Sequence, residues 1–207
     1  MTIWRAACGV AALLMLASCT SSPAPPAETA PVIVPGRPGE PARTISPGQP
    51  LPTRRSQPNT ADFAFIASMI VHHQQALDMA ALVPTHSQND KIKAVASRIA
   101  DSQRPEIDVM NGWLRDHGQP AVDPTKHAVD MSGMPGMASP SQLDSLRSAT
   151  GPAFDSLFLQ LMITHHQGAV TMARDVQTGG SDARVQELAD EVIAVQSAEI
   201  QRMRALH

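Results

Sequence analysis

The chain has no tyrosine, four phenylalanines and two tryptophans among its 207 residues. Surfaces on which bases or sugars could stack are therefore scarce. A basic excess is missing too, with 16 Lys and Arg against 19 Asp and Glu and a formal net charge of -3. That balance offers no electrostatic footprint for nucleic acid. Cysteine is limited to Cys8 and Cys19, both near the start. Processing of a leader there would leave no pair for a disulfide and no thiolate for a metal. Any metal would fall to His, Met, Asp or Glu. No phosphate loop, nucleophilic cysteine or Ser/His/Asp arrangement is visible. The Glu-x-x-His motif is also absent. Carboxylate di-metal bundles use that motif on two of their helices.

What is present begins with an expected export signal over residues 1–18. Arg5 precedes an apolar run, Ala6 to Ala17, too short to remain as a membrane span. It ends in Leu16-Ala17-Ser18-Cys19, which resembles a lipobox, so Cys19 is expected to carry lipid and anchor the protein to the membrane. An ordinary cleaved signal is the alternative. Thr20 after Cys19 resembles outer-membrane sorting in a Gram-negative host. Residues 19–58 hold a dense series of prolines, from Pro23 to Pro58. Such a segment cannot bury enough apolar surface to order itself, and is predicted to be a disordered, extended tether.

Helical patterns fill the rest, predicting one all-α domain over 59–207. A first helix is capped by Asn59 or Thr60 and is expected to stop at Pro84. Its wheel groups Ile66, Met69, His72, His73, Ala76, Met79 and Ala80, with Val71, Gln75 and Asp78 opposite. A second helix starts after Asn89-Asp90, is expected to kink at Pro105, and closes at Gly118 and Pro120. A loop follows, and Ser139-Pro140-Ser141-Gln142 opens a short helix that Gly151 is expected to end. A third long helix is predicted from Pro152 to Gln177. A fourth begins at Ser181-Asp182 and runs to the C-terminus.

The two halves repeat. A shift of 93 residues takes Met69 to Met162, His72 to His165, His73 to His166 and Met79 to Met172. The same shift, without a gap, takes Gln103 to Gln196, Glu106 to Glu199 and Met110 to Met203. A constant register across two helices and their connection predicts a duplicated helical hairpin, 59–118 and 152–207, joined by a crossover over 119–151. Two such hairpins make a four-helix bundle with pseudo-twofold symmetry.

The chemistry-bearing residues cluster in this repeat. His72 and His73, with His165 and His166, are candidate metal ligands, since imidazole is the commonest one. Adjacent helical residues diverge by about 100°, so one pair is not expected to chelate one ion alone. Met79 and Met172 flank them, and thioether is a soft ligand that favours Cu(I). Met131, Met134 and Met137 are spaced to wrap one Cu(I) in a Gly/Pro-rich loop, with His127 and Asp130 nearby. Glu106 and Glu199, each with a glutamine on the same face, are expected to ligate a metal or to orient an imidazole. Each group also has a plainer reading: satisfied core histidines, core-filling methionines, an apolar crossover, glutamates at a wet rim.

The two His-His-Gln-x4-Met-Ala segments, the Gln-x-x-Glu-Ile-x-x-Met segments, and Gly136-Met137-Ala138-Ser139-Pro140 leading into Phe154-Asp155 resemble the bacterial domain-of-unknown-function family numbered 305. The resemblance spans about Asp62 to His207. It implies a ferritin-like four-helix bundle, often exported, some of whose members bind copper and support copper resistance. It also implies His72, His73, Met79, His165, His166 and Met172 as ligands. Gln74 and Gln167 stand where many relatives carry Glu, which removes a carboxylate. The expected function is copper sequestration or hand-over in the cell envelope, to a transfer protein the sequence does not identify. Iron or manganese suits this carboxylate-poor set less well. A di-metal oxidoreductase and a metal-free envelope bundle acting through protein contacts remain the alternatives.

Overall fold

The structure is a computed structural model, and it describes residues 31–34, 41–49, 57–123 and 133–206. The expected leader, Cys19, His127, Asp130 and Met131 lie outside the described residues. In the N-terminal unit, β1 (Val32–Val34) and β2 (Arg43–Ile45) pair antiparallel, with Val32 opposite Ile45 and Val34 opposite Arg43. The proline-rich composition predicted no pairing here. Val32-Ile33-Val34 and Thr44-Ile45 are β-branched runs that favour the extended pleat locally.

The helical unit holds α1 (Thr60–His86), α2 (Asp90–Asp116), α3 (Pro140–Ser148), α4 (Gly151–Gly179) and α5 (Ala183–Arg204). Helices α1 and α2 form one hairpin, α4 and α5 the other, and the crossover carries α3. The predicted all-α architecture is therefore the observed one, with the strand pair as its small departure.

Four helix starts follow from a side-chain cap, while α4, entered at Thr150, has none. Asn59 Oδ1 accepts from the Ala61 and Asp62 amides at 2.8 and 3.2 Å, and Asp62 Oδ2 accepts from the Asn59 amide at 2.8 Å. Ser139 and Gln142 make the same reciprocal box on α3. Asp182 Oδ1 accepts from the Arg184 and Val185 amides, both at 3.1 Å. Two expected stops fail. Helix α1 continues through Pro84 to His86. Its last turn is held by tertiary contact, because the His86 ring hydrogen-bonds the Arg147 carbonyl at 3.1 Å and packs on Phe154. Gly151 opens α4 instead of closing α3, and its φ of 59° lets the chain turn sharply between them. Helix α2 is unbroken at Pro105.

The buried carboxylate of Asp62 ties the hairpins together at one end. It accepts from the Ser181 amide at 3.0 Å and the Asp182 amide at 3.2 Å. A Cβ on Gly180 would meet Asp62 Oδ1 at 2.4 Å, so that approach requires glycine.

The core comes in two parts. One apolar cluster gathers Met79, Val83, Ile92, Ile99, Phe154, Phe158, Met162 and Met203 with their neighbours. The other gathers Phe65, Ile66, Met69, Ile107, Met110, Trp113, Ala173 and Leu188 with theirs. Each fully buried large apolar side chain contributes roughly 1.5–3 kcal/mol. Along every long helix a stretch with buried polar residues separates the two clusters: His72 and His73 on α1, Gln103 on α2, His165 and His166 on α4, Gln196 and Glu199 on α5.

Candidate metal centre

The polar layer is built by helix register. His72 and His165 meet where α1 crosses α4, with ring centroids 3.7 Å apart and planes 34° apart. The second histidine of each pair turns to its own hairpin partner. His73 Nε2 donates to Glu106 Oε2 at 2.6 Å, and His166 Nε2 donates to Glu199 Oε2 at 2.8 Å. All four rings are buried completely. The glutamates are thus not rim residues pointing to water, although the Glu106 side chain keeps 21% of its exposure against 7% for Glu199. The divergence of adjacent residues separates the two tasks as predicted.

Burial sets the protonation of the central pair. It lowers His72 to about 3; the hydrogen bond to the Pro135 carbonyl is the next largest influence and opposes this, and His73 and His166 reinforce it. His165 is pushed well down by burial, then by His72, His166 and His73, while the His72 backbone pulls slightly the other way. Both rings are neutral at physiological pH and keep a lone pair for a ligand. With Nε2 bonded to a carboxylate, Nδ1 is the remaining ring position of His73 and His166, as in ligating histidines held by an outer carboxylate.

Among the described residues, the buried side-chain nitrogens and oxygens without a protein partner concentrate here. They are Nδ1 of His72, His73 and His166, both nitrogens of His165, and the amides of Gln103 and Gln196; only an Asp155 oxygen lies elsewhere. An unsatisfied buried polar group costs about 1–3 kcal/mol, so the layer opposes folding by several kcal/mol. Hard ligands do not converge on one point: among the described residues no group of three or more His, Cys, Asp or Glu could hold an ion.

The methionines divide by cluster. Met79 shares its cluster with Met162 and Met203. Met172 packs against the cluster containing Met69 and Met110. Met172 also lines a surface cleft of about 260 Å³ with Phe65, Ser68 and Asp175, whereas Met79 is fully enclosed.

Met134 and Met137 are half-buried on the crossover, which docks beside the central pair. His72 Nε2 donates to the Pro135 carbonyl at 3.0 Å. Gln75 clamps Ala138, accepting from its amide at 2.7 Å and donating to its carbonyl at 3.0 Å. The backbone of Pro135-Gly136 lies so close to α4 that a Cβ on Gly168 would stand 2.0 Å from the Pro135 oxygen. This clamp was missed in the sequence. The wheel put Val71 and Gln75 on the outer side, yet both are buried, Gln75 against the crossover. A signal existed: Gln75 and Gly168 are repeat equivalents, and the copies part there because a single crossover cannot obey the twofold.

The model of the family described as "Domain of unknown function (DUF305)" matches residues 62–207. No curated protein matches the chain. Among solved structures, a DUF305 fragment from Deinococcus radiodurans is 32% identical, with a TM-score of 0.65 over 72% of this chain and 95% of that one. The "putative secreted protein DUF305" from Streptomyces coelicolor is 32% identical, with a TM-score of 0.64 over 70% of this chain and 91% of that one. CopM in its Cu(I)-bound form is 32% identical, with a TM-score of 0.58 over 70% of this chain and 94% of that one. CopM has also been solved in Cu(II)-bound, Ag-bound and apo forms.

Proposed function

The chain belongs to the DUF305 family, and on that premise we propose that it is an exported copper-binding protein that sequesters copper or hands it over in the cell envelope. One observation carries this reading. Two equivalent histidine–glutamate pairs flank a neutral histidine pair in the buried centre of the bundle, with ring nitrogens that no protein group uses. Imidazoles oriented by carboxylates are prepared ligands, and the methionines around them favour a soft ion. The copper- and silver-bound forms of CopM support the same class of cargo.

In this reading His72, His73, His165 and His166 bind copper, and Glu106 and Glu199 orient the outer rings. Met79 and Met172 extend the thioether surface along the bundle. Met131, Met134 and Met137 form a further thioether set on the crossover, and Cys19 anchors the protein through lipid. The di-metal oxidase alternative needs a carboxylate-rich cluster with Glu-x-x-His on two helices, and the sequence has no Glu-x-x-His. The test is direct. The purified protein, loaded with Cu(I) under reducing conditions and desalted, should retain copper with micromolar or tighter affinity. H73A/H166A should lose most of it. Copper at background in the wild type overturns the reading. In cells, C19S should move the protein from the membrane fraction to the soluble fraction, and unchanged partitioning removes the anchor.

A further inference from the structure

We propose that the bundle contains two equivalent Cu(I) half-sites, each made by one imidazole and two thioethers of a single hairpin: His73, Met69 and Met110 in the first, His166, Met162 and Met203 in the second. The inference rests on the copper-binding reading above and assigns its ligands and stoichiometry.

The hard donors alone do not close a site: each outer histidine hydrogen-bonds one glutamate, and no group of three or more His, Cys, Asp or Glu among the described residues could hold an ion. Nδ1 of each outer histidine is buried and unpartnered. What lies one turn away is sulfur. Met69 precedes His73 by four residues on α1, and Met110 follows Glu106 by four on α2, so each shares a helix face with its neighbour. Met69 and Met110 are buried in one apolar cluster, as are Met162 and Met203 in the other. Glu106 and Met110 line the same narrow cavity, of about 10 Å³, with Phe65, Leu188, Glu191 and Val192. That pairing places the Glu106 carboxylate and the Met110 thioether at the wall of one small space, while His73 and Met69 stand outside its lining. The 93-residue shift carries all three ligands and the glutamate into the second hairpin. Met79 stands six residues beyond His73, about 9 Å along the axis, and packs with the methionines of the other half. His72 and His165 lie between the half-sites, where α1 meets α4.

Two thioethers and one imidazole suit Cu(I) over harder divalent ions. Leucine replaces methionine with little change of volume, so the ligands can be removed while the core stays filled. Full-length protein loaded with Cu(I) is compared with M69L/M110L, M162L/M203L and the fourfold variant, with folding checked by circular dichroism. Each double variant should lose one copper per chain and the fourfold variant two. X-ray absorption of the wild type should show sulfur neighbours that decline in step. Wild-type copper content in the double variants overturns the half-sites, as does loss of both ions from either one. Failure of the wild type to hold any copper defeats the copper-binding reading itself. Where a double variant unfolds, M110L and M203L singly should each weaken Cu(I) binding at least tenfold at one of two sites, and unchanged affinity overturns the proposal.

Discussion

Leaving a buried polar group unsatisfied costs about 1–3 kcal/mol, and His165 leaves both ring nitrogens without a protein partner. A residue kept under that load is poised for something other than stability. Its titration and that of His72 give a first prediction. The folded-state pKa of His72 is about 3 against an ordinary 6.5, and that of His165 is lowered in the same direction. Between those values the unfolded chain binds protons that the folded chain refuses. Stability of the metal-free protein is then fully present above about 6.5 and is lost as pH falls through the window. Its melting temperature should be clearly lower at pH 5 than at pH 7.5; a flat or inverted profile contradicts the neutral central pair. The carboxylates give a second prediction. E199Q should reduce Cu(I) affinity about 10- to 100-fold, the usual effect of losing an orienting partner. E106Q should do less, since Glu106 is the wetter of the two. Competition against a chromophoric Cu(I) chelator reads both, and equal wild-type affinities detach the glutamates from the site. The sequence carried the types and spacing of these residues. It could not say which histidine of a pair looks inward, because that depends on the facing helix.

At the scale of elements, the crossover is a clamp on the centre, not a slack connection. Its backbone is gripped by Gln75 on α1 and seated on Gly168 of α4. A methyl group at Gly168 meets the Pro135 backbone, which has no flexible end to yield. G168A should therefore destabilise the protein by about 1–3 kcal/mol, the range for overpacking, and lift the crossover. Thermal unfolding reads the first effect. Faster proteolytic cleavage in the crossover reads the second, and wild-type behaviour in both refutes the clamp. This element was the least legible in sequence. Caps at Asn59, Ser139 and Asp182 are local chemistry and were readable. Pro84 and Gly151 misled because their outcome is decided by tertiary contacts: His86 on Arg147 and Phe154 for one, the turn from α3 into α4 for the other. The β1–β2 pair was hidden by the composition around it.

Over the whole molecule, the duplication does two things at once. It repeats the cap-and-core pattern that folds each hairpin, and it brings two half-layers of polar residues together between two apolar clusters. The repeat register announced this symmetry; the polar layer across the middle emerges only when four helices are stacked. The arrangement trades stability for a prepared interior. Gln103 and Gln196 expose that trade, since both are about 1% accessible and neither amide atom has a protein partner. Leucine has a similar length and nothing to leave unsatisfied. Q103L/Q196L should raise the stability of the metal-free protein by at least about 1 kcal/mol per site, given the cost of an orphaned buried group. Cu(I) at 100 times its Kd should in turn stabilise the wild type by about 2.7 kcal/mol per independent site, recovering much of what the layer costs. Denaturant unfolding of the apo and copper-loaded forms measures both terms. A Q103L/Q196L variant no more stable than wild type shows that the glutamines are satisfied in solution, and a copper shift of zero removes the ion from the layer.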